Sequence, residues 1–151
     1  MKKLFLLSIT IIAFTLSANS QEIADNALGL RLGDSDGFGA EISYQRALSD
    51  YNRLEFGLGW RDKSDYSAIR AVGLYQWVWQ LDGNFNWYAG VGANTFLGDP
   101  FQLGVLGEVG IEYHFNGAPI ALGADWRPHL NIIEDTNFSA DNFGFNARFV
   151  F

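Results

Sequence analysis

The chain of 151 residues has no cysteine. Disulfides, thiolate nucleophiles and cysteine-ligated metals are excluded, and so is a lipid anchor on an N-terminal cysteine. Lysine is almost as scarce: beyond Ser20 there is only Lys63, in a segment that reads as a loop. Proline occurs three times, at Pro100, Pro119 and Pro128. Beyond Ser20 no apolar run approaches the ~18 residues that mark a membrane-spanning helix, so helical spans are excluded. Strands that carry apolar residues at every second position are not excluded, because a closed sheet can cross a bilayer with them. Metal-ligand clusters, calcium-loop spacing, phosphate-cradling loops, nucleophile motifs and nucleotide fingerprints are all missing, so no cofactor and no metal is expected.

The first twenty residues read as a secretory signal peptide. Lys2 and Lys3 form a positive start, Leu4 to Leu16 an apolar core, and Ala18-Asn19-Ser20 a small-residue cleavage site. Cleavage after Ser20 leaves a domain spanning residues 21–151. The formal charge of −7 then becomes two units more negative, since both leader lysines go and no acid does. Phosphate backbones repel so acidic a chain, which argues against nucleic acid as a partner.

From Asn26 onward the pattern has period two. Phe85, Trp87, Ala89, Val91 and Ala93 alternate with Asn86, Tyr88, Gly90, Gly92 and Asn94, the signature of a strand with two unlike faces. Eight such segments follow one another: Asn26–Gly33, Phe38–Leu48, Arg53–Arg61, Ala68–Leu81, Phe85–Asn94, Gln102–Phe115, Ile120–Arg127 and Asn142–Phe151. All three prolines fall between them. Short Asp/Asn/Gly connections (Ser49–Asn52, Asp82–Asn84, Asn116–Pro119) alternate with mostly longer ones (Asp34–Gly37, Asp62–Ser67, Thr95–Phe101, Pro128–Asp141). This pattern predicts an all-β, closed, eight-stranded antiparallel up-and-down transmembrane β-barrel. Its short turns and both termini face the periplasm, and its longer loops face outward.

Alternation alone does not say which face is inside. Scarce lysine argues against a sheet whose exterior meets water. Glycine is informative too. Gly29, Gly33, Gly39, Gly57, Gly59, Gly90, Gly92, Gly104, Gly110, Gly123 and Gly144 all share the polar face, where they make room in a narrow lumen. On the apolar face the aromatics form two girdles. Tyr44, Trp77, Trp79, Phe85, Trp87, Tyr113, Phe115, Phe149 and Phe151 gather at the turn end, and Phe38, Trp60, Trp126 and Phe143 at the loop end. The polar face is therefore expected to line the lumen. It carries Arg31, Arg53, Arg70, Arg127 and Arg148 against Glu41, Glu55, Glu108, Glu112 and Asp125. Confined charges must be paired, and counting registers from the loops makes Arg31–Glu41 and Glu108–Arg127 neighbours. A salt-bridge network that plugs the barrel is the expected interior.

The mature chain resembles the small outer-membrane barrels of the OmpX and OmpA-transmembrane-domain type. The resemblance rests on pattern, and its most specific element is Arg148-Phe149-Val150-Phe151. The family's terminal aromatics are read by the barrel-assembly machinery, which implies an assembly signal at Phe149 and Phe151. It further implies location in the bacterial outer membrane, lipids and lipopolysaccharide as surroundings, periplasmic chaperones as partners and a monomeric state. The function expected is non-enzymatic: a structural or surface-interaction role in envelope integrity, adhesion or ligand contact through external loops. Those loops carry Asp34, Asp36, Asp62, Asp65, Asp99, Glu134, Asp135 and Asp141, which read as solvated. Two alternatives stay open. A lipid A-modifying enzyme would draw on His129, Ser139, Glu134 and Asp135, all in the longest loop, whereas His114 reads as an interior hydrogen-bonded residue. A narrow conduit for ions or small apolar molecules would use the inward Val72, Leu74, Val78 and Leu106; eight strands leave little room for it.

Overall fold

The computed structural model of the chain describes residues 23–33, 39–63, 66–98, 101–133 and 136–151, with the side chains of 61–68 outside that description. The expected signal peptide, residue Phe38 and the loop acids Asp34, Asp36, Asp65, Asp99, Glu134 and Asp135 therefore lie outside the described residues.

Among the described residues there are ten strands. They are β1 (Asn26–Leu32), β2 (Ala40–Ala47), β3 (Asn52–Lys63), β4 (Tyr66–Asp82), β5 (Phe85–Leu97), β6 (Gln102–His114), β7 (Ile120–Trp126), β8 (His129–Asn131), β9 (Asn137–Ser139) and β10 (Phe143–Val150). Each of β1 to β6 pairs antiparallel with the next, β7 pairs with β10, and β10 pairs with β1. Eight strands thus close on themselves and leave no edge to be protected. The ends of the chain meet at the closure. Asn26 donates to the Phe151 carbonyl at 3.0 Å, and the Phe151 N–H donates to the Asn26 carbonyl at 2.9 Å.

The tight turns follow from their residues. Gly83, between β4 and β5, has φ of 53°, and Gly117, between β6 and β7, has φ of 85°. Both values are ones that only glycine adopts without strain. A register shift between Gln80 and Asp82 marks a bulge just before the first of these turns.

Three connections differ from expectation. Lys63 lies within β3 rather than in a loop. Strand β5 runs on through Leu97, because Thr95 and Phe96 continue the alternation and pair with Leu103 and Gln102. The segment Pro128–Asp141 contains a hairpin, β8 and β9, that prolongs the sheet. β8 pairs with β6 (Leu106 opposite His129) in the same register that sets Val109 opposite Trp126, so it continues β7 past a proline. Pro128 hid this continuity. It accepts a ladder bond from the Gly107 N–H at 3.0 Å but has no N–H to return.

The burial pattern of β10, alternately exposed and buried from Phe143 onward, repeats around the barrel. The buried set is polar and points inward. The exposed set is apolar and points outward, reaching 58% exposure at Leu58 and 73% at Phe145. A water-soluble protein does the reverse.

Candidate functional site: a charged barrel interior

The ten charged residues expected inside (Arg31, Glu41, Arg53, Glu55, Arg70, Glu108, Glu112, Asp125, Arg127 and Arg148) are all buried. Nine of them join one connected group. Its centre is Arg127, between β7 and β8 and fully buried. Its Nε donates to Glu108 Oε1 at 2.6 Å and its Nη1 to Glu41 Oε1 at 2.7 Å, while Nη2 donates to Glu55 Oε1. Three carboxylates from β6, β2 and β3 therefore converge on one guanidinium. Its planar fork of donors suits that task, which the point charge of a lysine does not.

Glu55 is the second hub. Besides Arg127 it accepts from Arg148 Nη2 at 3.2 Å to both oxygens, Gln45 Nε2 at 2.6 Å, Gln76 Nε2 at 2.9 Å and Ser43 Oγ at 3.1 Å. Arg53 grips Glu112 with a two-pronged fork, both bonds 2.9 Å, and donates through Nε to Gln76 Oε1 at 2.6 Å. Gln76 in turn donates to Glu108. His114 lies 3.1 Å from Glu112, which makes it an interior hydrogen-bonded residue.

The expected neighbours are only half right as partners. Arg31 and Glu41 do face each other across β1 and β2, but they do not pair. Arg31 reaches Asp125 at 2.5 and 2.8 Å, and Glu41 binds Arg127. Glu108 and Arg127 do bond directly. The Arg70 guanidinium lies 5.5 Å from the centre of the Phe96 ring.

Sequence reasoning that counted only charges missed the neutral members: Gln45, Gln76, Asn142, Asn146, Ser43 and Tyr88. All are buried, and all share the inward parity of the strands that carry the charges, the signal that could have found them. Tyr88 projects from β5 into the lumen, under the Arg53 guanidinium at 4.9 Å, with Asn146 Nδ2 of β10 at 3.4 Å from its hydroxyl. A Cβ at Gly110 would run into the Tyr88 ring, and one at Gly144 would sit 2.5 Å from Arg31 Cζ. Interior glycine here makes space for bulky polar side chains.

A few inward residues are apolar. Val72, Leu74 and Leu106 form one cluster, whereas Val78 separates from them and packs with Ile23 and Tyr88 near the β4–β5 turn. All eight barrel strands send buried side chains into the lumen.

The outward face carries the aromatics. At the turn end Trp79 and Trp87 stack at 4.4 Å and Phe85 meets Tyr113 at 4.8 Å; at the loop end Trp126 and Phe143 stack at 6.3 Å. Phe149 and Phe151 lie 5.9 Å apart at the chain's end, both exposed.

The residues weighed for chemistry at the loop end come partly together. His129 and Ser139 are cross-strand partners on β8 and β9. The Ser139 hydroxyl donates to Asp141, and that bond holds the exposed Asp141 carboxyl below its ordinary range. Glu134 and Asp135 are outside the described residues. Among the described residues no cluster of three or more metal-ligating side chains occurs, and no helix is long and apolar enough to cross a membrane.

No family model matches the chain, and no curated protein matches it in sequence. Solved structures do match in shape. A de novo designed transmembrane β-barrel superposes with a TM-score of 0.65 at 13% identity, over 87% of this chain and 98% of that one. Neisserial surface protein A superposes with a TM-score of 0.57 at 16% identity, over 83% and 94%. The apolar exterior, the closed sheet and these likenesses agree: the chain folds as a closed eight-stranded antiparallel transmembrane β-barrel.

Proposed function

We propose that the protein is a non-enzymatic, monomeric barrel of the bacterial outer membrane, with both termini in the periplasm and a structural or surface-contact role in the envelope. The observation that carries this reading is the grip of Glu41, Glu55 and Glu108 on the fully buried Arg127. Side chains from opposite walls are tied across the lumen, so the barrel is a rigid plug rather than a pore. Membrane lipid and lipopolysaccharide surround it, chaperones deliver it, and Phe149 with Phe151 present the assembly signal. The likeness in fold to Neisserial surface protein A is consistent with contact through the loop end.

A conduit would need a path through the charge layer. A lipid-modifying serine would hand its proton to a histidine base, and here the Ser139 hydroxyl donates to Asp141. Membrane fractionation with heat-modifiable gel migration tests location and closure together. In planar bilayers the reading expects silence, and unitary conductance steps would overturn it. Lipid A from cells with and without the protein should give the same mass spectrum.

A further inference from the structure

Among the described residues, the outward face carries a shallow groove. Among the described strand residues, Gly73 and Gly107 are the glycines that point outward rather than into the lumen. Around Gly73 an added Cβ would meet nothing within 4 Å, so it is simply a flat spot on the wall. Gly107 is different. It floors a groove of about 540 Å³ between Val91 and Val105 on one side and Pro128, Leu130 and Phe138 on the other. Even the nearest atoms to a Cβ there, the Gly90 carbonyl oxygen and Pro128 Cγ, are 3.9 Å away.

The seam beneath the groove explains its existence. Gly107 supplies no side chain to cover the ladder, and Pro128 supplies no second ladder bond, so the sheet surface is recessed where β6 meets the β7–β8 junction. Above it the β8–β9 hairpin raises a wall whose outward residue, Phe138, is 64% exposed. The groove is continuous with the apolar exterior: Val91, Val105 and Val109 on its flank are each about half exposed.

We propose that this groove is a resident-lipid site that holds one acyl chain of a membrane lipid. The inference rests on the transmembrane placement proposed above. In that setting the occupant is set by chemistry. Water is disfavoured among walls that are almost wholly apolar, and an empty recess forfeits the dispersion contacts of its lining. An acyl chain is the apolar rod that the surroundings supply. Seated over Gly107, it touches Val91 and Val105 as well as Pro128, Leu130 and Phe138, which distinguishes it from the lipids that merely pass along the smooth wall near Gly73.

Native mass spectrometry of the barrel, refolded with palmitoyl-oleoyl phosphatidylglycerol and then extracted in mild detergent, tests the site. Wild type and Gly73→Leu should each retain one lipid. Gly107→Leu, whose side chain fills the recess, should lose roughly tenfold in retention. Phe138→Ala removes a wall without adding bulk and should show the same loss, which keeps the test decisive if Gly107→Leu does not fold. Equal retention by all four proteins would overturn the site. So would a wild-type dimer that Gly107→Leu dissolves, which would assign the groove to a second copy of the chain. Protease protection in vesicles of the same lipid is measured alongside: protected barrels without a resident lipid reject this inference alone, and unprotected ones reject the membrane reading itself.

Discussion

Arg31 and Glu41 sit directly opposite each other on neighbouring strands, yet each sends its charge to a different partner: Arg31 to Asp125 and Glu41 to Arg127. In a lumen this narrow, a long side chain reaches past the next strand, as Arg31 does over Gly144 of β10 to meet β7. The pairing that results ties β1 to β7, and β2 to the β7–β8 junction, across the closed sheet. Buried charges are costly unless every lone pair and proton is met. Meeting them across the lumen makes the barrel's cross-section a single cooperative unit.

Double-mutant cycles in urea unfolding of the refolded barrel separate these pairings. Arg31→Ala with Asp125→Ala should show a coupling of about 1.5 kcal/mol or more, whereas Arg31→Ala with Glu41→Ala should couple by less than about 0.5 kcal/mol. The opposite order would mean that the cross-strand neighbours are the true pair.

Breaking the hub should cost more than breaking a spoke. Glu108→Ala leaves Arg127 short of one carboxylate, and Arg127→Leu leaves Glu41, Glu55 and Glu108 facing one another. The expected losses are about 2 kcal/mol for the first and about 3–5 kcal/mol for the second, read from the same unfolding curves. An unchanged thermal unfolding of Glu108→Ala would remove that residue from the network.

Gly110→Ala should destabilise by about 1–3 kcal/mol, because the new methyl meets the Tyr88 ring in a space with no slack. Tyr88→Leu in the same chain should return part of that loss. If the two changes simply add, the glycine is not there for the ring.

Phe149 and Phe151 are exposed and lie outside the charge layer. Replacing both by alanine should lower the amount of heat-modifiable barrel assembled in cells several-fold, yet leave refolding of purified protein nearly unchanged. Equal losses in both settings would assign the aromatics to stability instead of assembly.

The barrel itself was legible in the sequence because its signal is redundant: eight alternating segments, turn residues between them, and glycine gathered mostly on one face. All ten interior charges could be read from parity alone, since a residue's face is set two positions at a time. Partner choice could not. Register identifies the nearest backbone, and arginine is long enough to ignore it, as Arg31 does. The β8–β9 hairpin was hidden by Pro128, which breaks the ladder for one residue and resembles a strand's end. The groove over Gly107 was hidden for the opposite reason, as a missing side chain in an otherwise regular apolar row.

The central claim is that the apolar face meets hydrocarbon while the charges seal the lumen. The absence of native cysteine allows a spin label at Leu30→Cys or Leu58→Cys, both outward, in refolded barrels in phosphatidylcholine vesicles. The account expects collisions with dissolved oxygen to be frequent and collisions with a water-soluble nickel chelate to be rare at both sites. Frequent nickel collisions at Leu58→Cys in protein confirmed as folded would place that face in water and contradict it.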